Sequence, residues 1–175
     1  MIHLYTGEGK GKTTAAIGMC VRAAGRGFRV CFAQFMKGND TGELYVLKNL
    51  PGVTVLRSEK KFGFYSTLSA QDKAELTDIH NHILDELLNA VNEGVYDMVI
   101  LDEVTYPVKW RLLDKEKIRW LMNAGKGGEG GGIELVLTGR GAEDFMKVRA
   151  DYITEMGCIR HPYTRGLIAR EGIEY

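Results

Sequence analysis

The residues best suited to chemistry gather near the start of the chain, in Thr6-Gly7-Glu8-Gly9-Lys10-Gly11-Lys12-Thr13-Thr14. Glycines let a backbone curl so that successive N–H groups point inward at phosphate oxygens. A helix opening at the end of such a loop adds the partial positive charge of its N-terminus. Lys12 brings a full positive charge, and the Thr13 hydroxyl is of the type that ligates Mg²⁺ beside a phosphate. The pattern G-x-x-x-x-G-K-[ST] is met at Gly11-Lys12-Thr13, but Thr6 holds its first-glycine position and Gly7 comes one residue late. A tight turn with incidental basic residues is the bland alternative.

A phosphate–metal site also needs acidic groups at the end of a buried strand. Met98-Val99-Ile100-Leu101 is a continuous apolar run that ends in Asp102-Glu103. Two carboxylates there suit a Mg²⁺-nucleotide, directly or through water. Asp102 capping the following turn is the alternative. Thr138-Gly139-Arg140 closes another apolar run, and an arginine there reaches a phosphate chain with a planar, multi-donor group. A surface arginine after a turn fits the same spacing. Lys12, Glu103 and Arg140 are therefore the catalytic candidates, residues 6–14 the nucleotide cradle, and Thr13, Asp102 and Glu103 the metal candidates. His80 and His82 stand two apart on a helix and face different ways, which makes a poor metal pair.

Strands and helices alternate around these residues. Strands are expected at 2–5, 29–35, 53–56, 98–101 and 133–138. Helices are expected from Thr13 to glycines 25 and 27, over 42–50, from a capping box at Ser69-Ala70-Gln71-Asp72 to about Asn92, from Asp114 to about Asn123, and over 142–149. Leu76, Ile79, Ile83, Leu87 and Val91 mark one apolar stripe on the longest helix. Such alternation predicts an α/β fold, a mostly parallel sheet with helices on both faces. The glycine-rich stretch 125–132 reads as a loop, and no linker divides the 175 residues, so one nucleotide-binding domain over 1–175 is expected.

Composition narrows the classes further. Lys+Arg and Asp+Glu are both 23, so the basic excess of a general nucleic-acid or anionic-membrane binder is missing. Hydrophobic residues make up 45% and charged residues 26%, which excludes general disorder. Three widely spaced cysteines read as reduced thiols in a cytoplasmic protein. No signal peptide and no transmembrane run is seen. These observations define a Mg²⁺-nucleotide site but not the fate of the nucleotide, and kinases, ATPases, GTPases and ligases stay open.

The segments 6–16, Gln34-Phe35-Met36-Lys37-Gly38, Leu101-Asp102-Glu103-Val104-Thr105-Tyr106, Leu137-Thr138-Gly139-Arg140 and Ala150-Asp151-Tyr152-Ile153-Thr154-Glu155-Met156 carry more. In this order they resemble the motifs of the P-loop type ATP:corrinoid adenosyltransferases, which make the cobalt–carbon bond of adenosylcobalamin. The tail, with His161-Pro162 and Gly172-Ile173-Glu174-Tyr175, is similar as well. The resemblance implies a P-loop NTPase fold of the RecA-like type. It implies that Co(I) of a reduced corrinoid attacks the 5′ carbon of ATP and that the triphosphate leaves whole. It also implies Mg²⁺ with ATP, a flavoprotein reductant, and a role in adenosylcobalamin biosynthesis or salvage.

Members place aromatic side chains against the lower corrinoid face, and the matching residues here are Phe62 and Phe64, the latter where tryptophan is typical. Two core aromatics on one face of a strand is the other reading of that spacing. Glu8 stands where asparagine is common and would face solvent or Mg²⁺. The chain starts at its first strand, where some members carry a helical extension, which suggests an open corrinoid site or one completed by a second copy in a homodimer. The competing functions are a P-loop phosphotransferase or NTP hydrolase and a non-catalytic nucleotide- and corrinoid-binding module.

Overall fold

The computed structural model describes residues 1–126 and 132–173; residues 127–131 of the glycine-rich stretch and the last two tail residues lie outside them. Among the described residues six strands form one sheet: β1 (Ile2–Thr6), β2 (Val30–Gln34), β3 (Val53–Arg57), β4 (Met98–Asp102), β5 (Glu134–Thr138) and β6 (Tyr152–Glu155). Their order is β3-β2-β4-β5-β1-β6, and every pairing is parallel. All strand C-termini therefore face one edge, where open α/β sheets bind their ligands. The helices are α1 (Lys12–Ala24), α2 (Gly42–Leu47), α3 (Ala70–Asn92), α4 (Thr105–Lys109), α5 (Lys115–Gly125) and α6 (Asp144–Arg149).

The sheet is covered on both faces, as its long apolar strands require. Val30, Phe32, Met98, Ile100 and Val136 pack against Ala16, Cys20 and Ala23 of α1 and Leu47 of α2. Their strand neighbours Cys31, Ala33, Val99, Leu101, Leu135 and Leu137 point the other way, into Ile83, Leu84 and Leu87 of α3 and Ile118, Leu121 and Met122 of α5. The period of two along each strand thus builds two cores from one sheet. The architecture is an all-parallel α/β sandwich consistent with a P-loop NTPase fold. A strand, β5, stands between the strand that feeds the glycine loop and the strand that ends in Asp102.

Two elements escape the periodicity of the sequence. Strand β6 is exposed along its whole length and, among the described residues, pairs only with β1, so burial leaves no alternating pattern on it. Helix α4 is five residues long and carries Pro107, a residue that usually marks a boundary. The caps form as expected. The Ser69 hydroxyl accepts the Asp72 N–H, and the Asp72 carboxylate accepts the Ser69 N–H. Asp114 accepts the N–H of Glu116 at the start of α5.

Candidate functional site

The glycine loop leaves β1 at Thr6 and enters α1 at Lys12. Thr6 is buried with ordinary strand backbone, whereas Gly7 has φ +95° and Gly11 φ +113°. A Cβ on Gly7 would lie 2.5 Å from the Met156 carbonyl oxygen and 2.8 Å from its nitrogen. One on Gly9 would lie 2.6 Å from the Gly157 oxygen, and the Gly9 N–H donates to the Met156 carbonyl at 2.6 Å. The loop is thus braced by the chain leaving β6. This explains the displaced glycine: the bend and the close approach fall on Gly7, so Thr6 has no need of a left-handed conformation.

Lys12 folds back over this loop. Its Nζ donates to the carbonyls of Gly7 and Gly9, each at 2.7 Å. Burial lowers its pKa, and the charge of Arg140 adds to the effect. Thr13 turns its hydroxyl to Asp102, donating to Oδ1 at 2.8 Å. Gly9, Lys10, Gly11, Lys12, Thr13 and Thr14 share the lining of one cavity of about 410 Å³ with Glu103 and Arg140. Lys37 of the turn after β2, and His161 and Ile173 of the C-terminal segment, reach the same cavity.

Asp102 is 0% exposed and is held by four donors. Oδ1 accepts from Thr13 and, at 2.7 Å, from the Thr138 hydroxyl at the end of β5. Oδ2 accepts from Gln34 Nε2 at 3.2 Å and from Lys37 Nζ at 3.0 Å. A buried carboxylate persists when its lone pairs are met in this way. Glu103 follows with φ +57°, a left-handed bend that turns the chain out of β4 and aims the side chain at the cavity. Its N–H donates to the Thr138 hydroxyl at 2.9 Å. Burial raises its pKa, and the neighbouring Asp102 carboxylate raises it further.

Arg140 stands on the turn after β5. Gly139 has φ +141°, and a Cβ there would collide with the Thr105 side chain, whose hydroxyl donates to the Arg140 carbonyl at 2.8 Å. The guanidinium pairs with Glu8 at 3.2 Å, so Glu8 faces Arg140 across the mouth of the loop. Each of three site cations has a local partner. Lys12 has loop carbonyls, Lys37 has Asp102 and Arg140 has Glu8.

The oxygens of Thr13 and Asp102 suit a small hard divalent ion. They already select a cation, because the Lys37 ammonium lies 3.3 Å from Thr13 Oγ1 and 3.0 Å from Asp102 Oδ2. Glu103 lines the same cavity. The donor set fits Mg²⁺.

Phe62 and Phe64 lie in irregular chain between β3 and α3, not on a strand. Phe62 is half-buried beside a small cavity lined by Met36, Lys37, Gly38, Leu76 and His80. Phe64 is 85% exposed. Immediately after it, Tyr65 stacks on Trp110 with centroids 4.2 Å apart, and Trp110 stacks on Tyr106 at 4.8 Å. Burial raises the Tyr106 pKa, and the charge of nearby Arg140 opposes the effect. This aromatic column joins the segment after Phe64 to helix α4. The column, Gln34, Lys37 and the hydroxyl of Thr138 were not marked by sequence reasoning as parts of the site. The motif around Gln34 and Lys37 and the strand-end position of Thr138 were the available signals.

Fold and site together define an all-parallel α/β protein of P-loop NTPase-like architecture, with a cavity lined by charged side chains at the C-terminal edge of its sheet. Residues 1–175 match the family described as ATP:corrinoid adenosyltransferase BtuR/CobO/CobP. The chain belongs to this family of ATP-dependent corrinoid adenosyltransferases. It is 33% identical over 180 residues to Corrinoid adenosyltransferase CobA of Salmonella typhimurium, covering 100% of this chain and 85% of that protein. It is 32% identical to a corrinoid adenosyltransferase of Escherichia coli, covering 85% of it, and 31% identical to one of Sinorhizobium sp, covering 80% of it. Among the described residues no helix is long and apolar enough to cross a membrane.

Proposed function

We propose that residues 1–175 act as one P-loop domain that moves the 5′-deoxyadenosyl group of ATP to Co(I) of a corrinoid. Cobalt donates the electron pair of the new cobalt–carbon bond, the C5′–O bond breaks with its electrons on oxygen, and triphosphate leaves. The nucleophile belongs to the substrate, so the protein needs no serine, cysteine or histidine nucleophile. Its work is positioning and electrostatics. Residues 6–14 cradle the triphosphate, and Lys12 exchanges the loop carbonyls for phosphate oxygens. Arg140, steered by Glu8, adds a planar donor at the mouth. Thr13, Asp102 and Glu103 would hold Mg²⁺, which when bound offsets charge on the departing triphosphate.

Phe62 and Phe64 face the corrinoid in this reading. The exposed ring of Phe64 is available to an external ligand, and Phe62 lines a small cavity together with Met36 and Leu76. A flavoprotein supplies the electron for Co(I). The reading includes a cytoplasmic location, supported by free cysteines at 20, 31 and 158. It includes a homodimer, supported by the exposed apolar side chains Tyr152 and Ile153 on edge strand β6.

The observation that supports the reading most is the meeting of Lys12, Thr13, Glu103 and Arg140 around one cavity, with Asp102 buried behind Thr13, in a chain whose whole length matches the family. The test mixes protein, Mg²⁺-ATP and chemically reduced cobalamin and follows the absorption of the adenosyl product together with released phosphate species. Adenosylcobalamin and intact triphosphate are expected. ADP or orthophosphate without alkylated corrinoid would return the protein to the hydrolase or phosphotransferase reading.

A further inference from the structure

We propose that Lys37 is a placeholder cation. In the nucleotide-free protein its ammonium occupies the position of the divalent ion, and it gives way only when metal and polyphosphate arrive together. The inference rests on the metal assignment made above, that Thr13 and Asp102 hold the ion.

Three observations carry it. First, the Lys37 ammonium lies within 3.0 Å of Asp102 Oδ2 and 3.3 Å of Thr13 Oγ1. These oxygens belong to the pair named as metal ligands, and Thr13 spends its own proton on Asp102 Oδ1, leaving its lone pairs toward Lys37. Secondly, Asp102 is 0% exposed, and its other donors, Thr13, Thr138 and Gln34, are neutral. Such a carboxylate needs a cationic partner at all times, because an uncompensated buried charge is strongly destabilising. Lys37 answers that need when no metal is present.

Thirdly, the backbone that carries Lys37 is pinned. The Phe35 N–H donates to the Asp102 carbonyl at 3.0 Å, Met36 takes a left-handed conformation with φ +59°, and a Cβ on Gly38 would collide with the Lys60 carbonyl. The turn therefore stays in place while the side chain rotates. It has somewhere to go, since Lys37 already lines the cavity proposed for the polyphosphate. There the phosphate oxygens take over the ammonium as the divalent ion takes over Asp102.

A monovalent and a divalent cation cannot share the same two oxygens without strong repulsion. Free divalent metal must therefore displace the Lys37 ammonium without bringing an anion of its own to receive it, and it binds weakly. A metal–polyphosphate brings the receiving anion with it. Metal and nucleotide accordingly bind with mutual positive coupling.

The experiment titrates Mn²⁺ into the protein and reads bound metal by electron paramagnetic resonance, without nucleotide and with saturating ATP. For the wild type we expect weak binding alone and tight binding with ATP. For Lys37→Met we expect binding without nucleotide to tighten by at least about tenfold, and the coupling between Mn²⁺ and ATP to shrink. Lys37→Arg, which keeps the charge, retains the wild-type pattern. If Lys37→Met folds only in the presence of Mn²⁺, the dependence of its melting temperature on Mn²⁺ without ATP gives the same answer, and Lys37→Gln repeats the titration. Equal affinity of wild type and Lys37→Met for Mn²⁺ alone overturns the proposal while the metal assignment stands. Failure of the wild type to bind Mn²⁺ even with ATP overturns the metal assignment itself, and the placeholder with it.

Discussion

Thr138→Val removes one hydroxyl and leaves the shape of the side chain almost unchanged. That hydroxyl donates to the fully buried Asp102 at 2.7 Å and accepts the Glu103 N–H at 2.9 Å. A hydrogen bond to a charged group is worth about 1.5–3 kcal/mol, and an amide left without its acceptor costs about 1–3 kcal/mol. The Glu103 amide is only partly buried, so its share falls toward the low end. The sum is about 2.5–4 kcal/mol. At about 2–4 °C per kcal/mol for a chain of this size, the melting temperature should drop by about 5–16 °C. Thr138→Ser keeps the hydroxyl and loses one buried methyl, a change of about 1 kcal/mol. Urea denaturation of both variants, with m-values checked for constancy, measures the difference. A Thr138→Val protein as stable as Thr138→Ser would refute the assignment of this hydroxyl as a support of the acidic strand end.

Further outcomes are expected from other parts of the molecule. Gly7→Ala places a methyl against the Met156 backbone at a φ of +95°, so stability should fall by roughly 1–3 kcal/mol and ATP affinity with it; thermal melts and calorimetry read both. Phe62→Ala should slow reaction from Co(II) with a biological reductant more than reaction from preformed Co(I), and equal slowing would count against its place at the corrinoid. Burial pushes the His80 imidazole down from 6.5 to about 4. Between those values the unfolded chain binds the extra proton, so stability is full above pH 6.5 and is lost as pH falls toward 4, by roughly 3 kcal/mol in all. Denaturation across that range should show the slope, and His80→Phe should flatten it.

The sequence disclosed most where one local rule decides the outcome. The Ser69 and Asp114 caps, the alternation of β2 and β4 between two cores, and the loop at the β1–α1 junction each follow from a few adjacent residues. What stayed hidden depends on long-range pairing. Nothing near Tyr152 announces that β6 will pair with β1, because an exposed edge strand needs no apolar period. That Gly7 and not Thr6 makes the bend depends on Met156, nearly the whole chain away. The partners of Asp102 come from the ends of β2 and β5 and from α1, which only the strand order brings together. The spacing of Phe62 and Phe64 left a strand with one shared face open as the alternative reading. Irregular chain instead leaves Phe62 half-buried and Phe64 exposed.

Capture of a magnesium-bound triphosphate by residues 6–14 is the central step of the proposed reaction. Calorimetric titration of ATP into the folded protein in magnesium buffer should give one site per chain, and Lys12→Ala should abolish the heat while its circular dichroism and its corrinoid binding persist. A folded wild-type protein that takes up no ATP in this buffer would contradict the account.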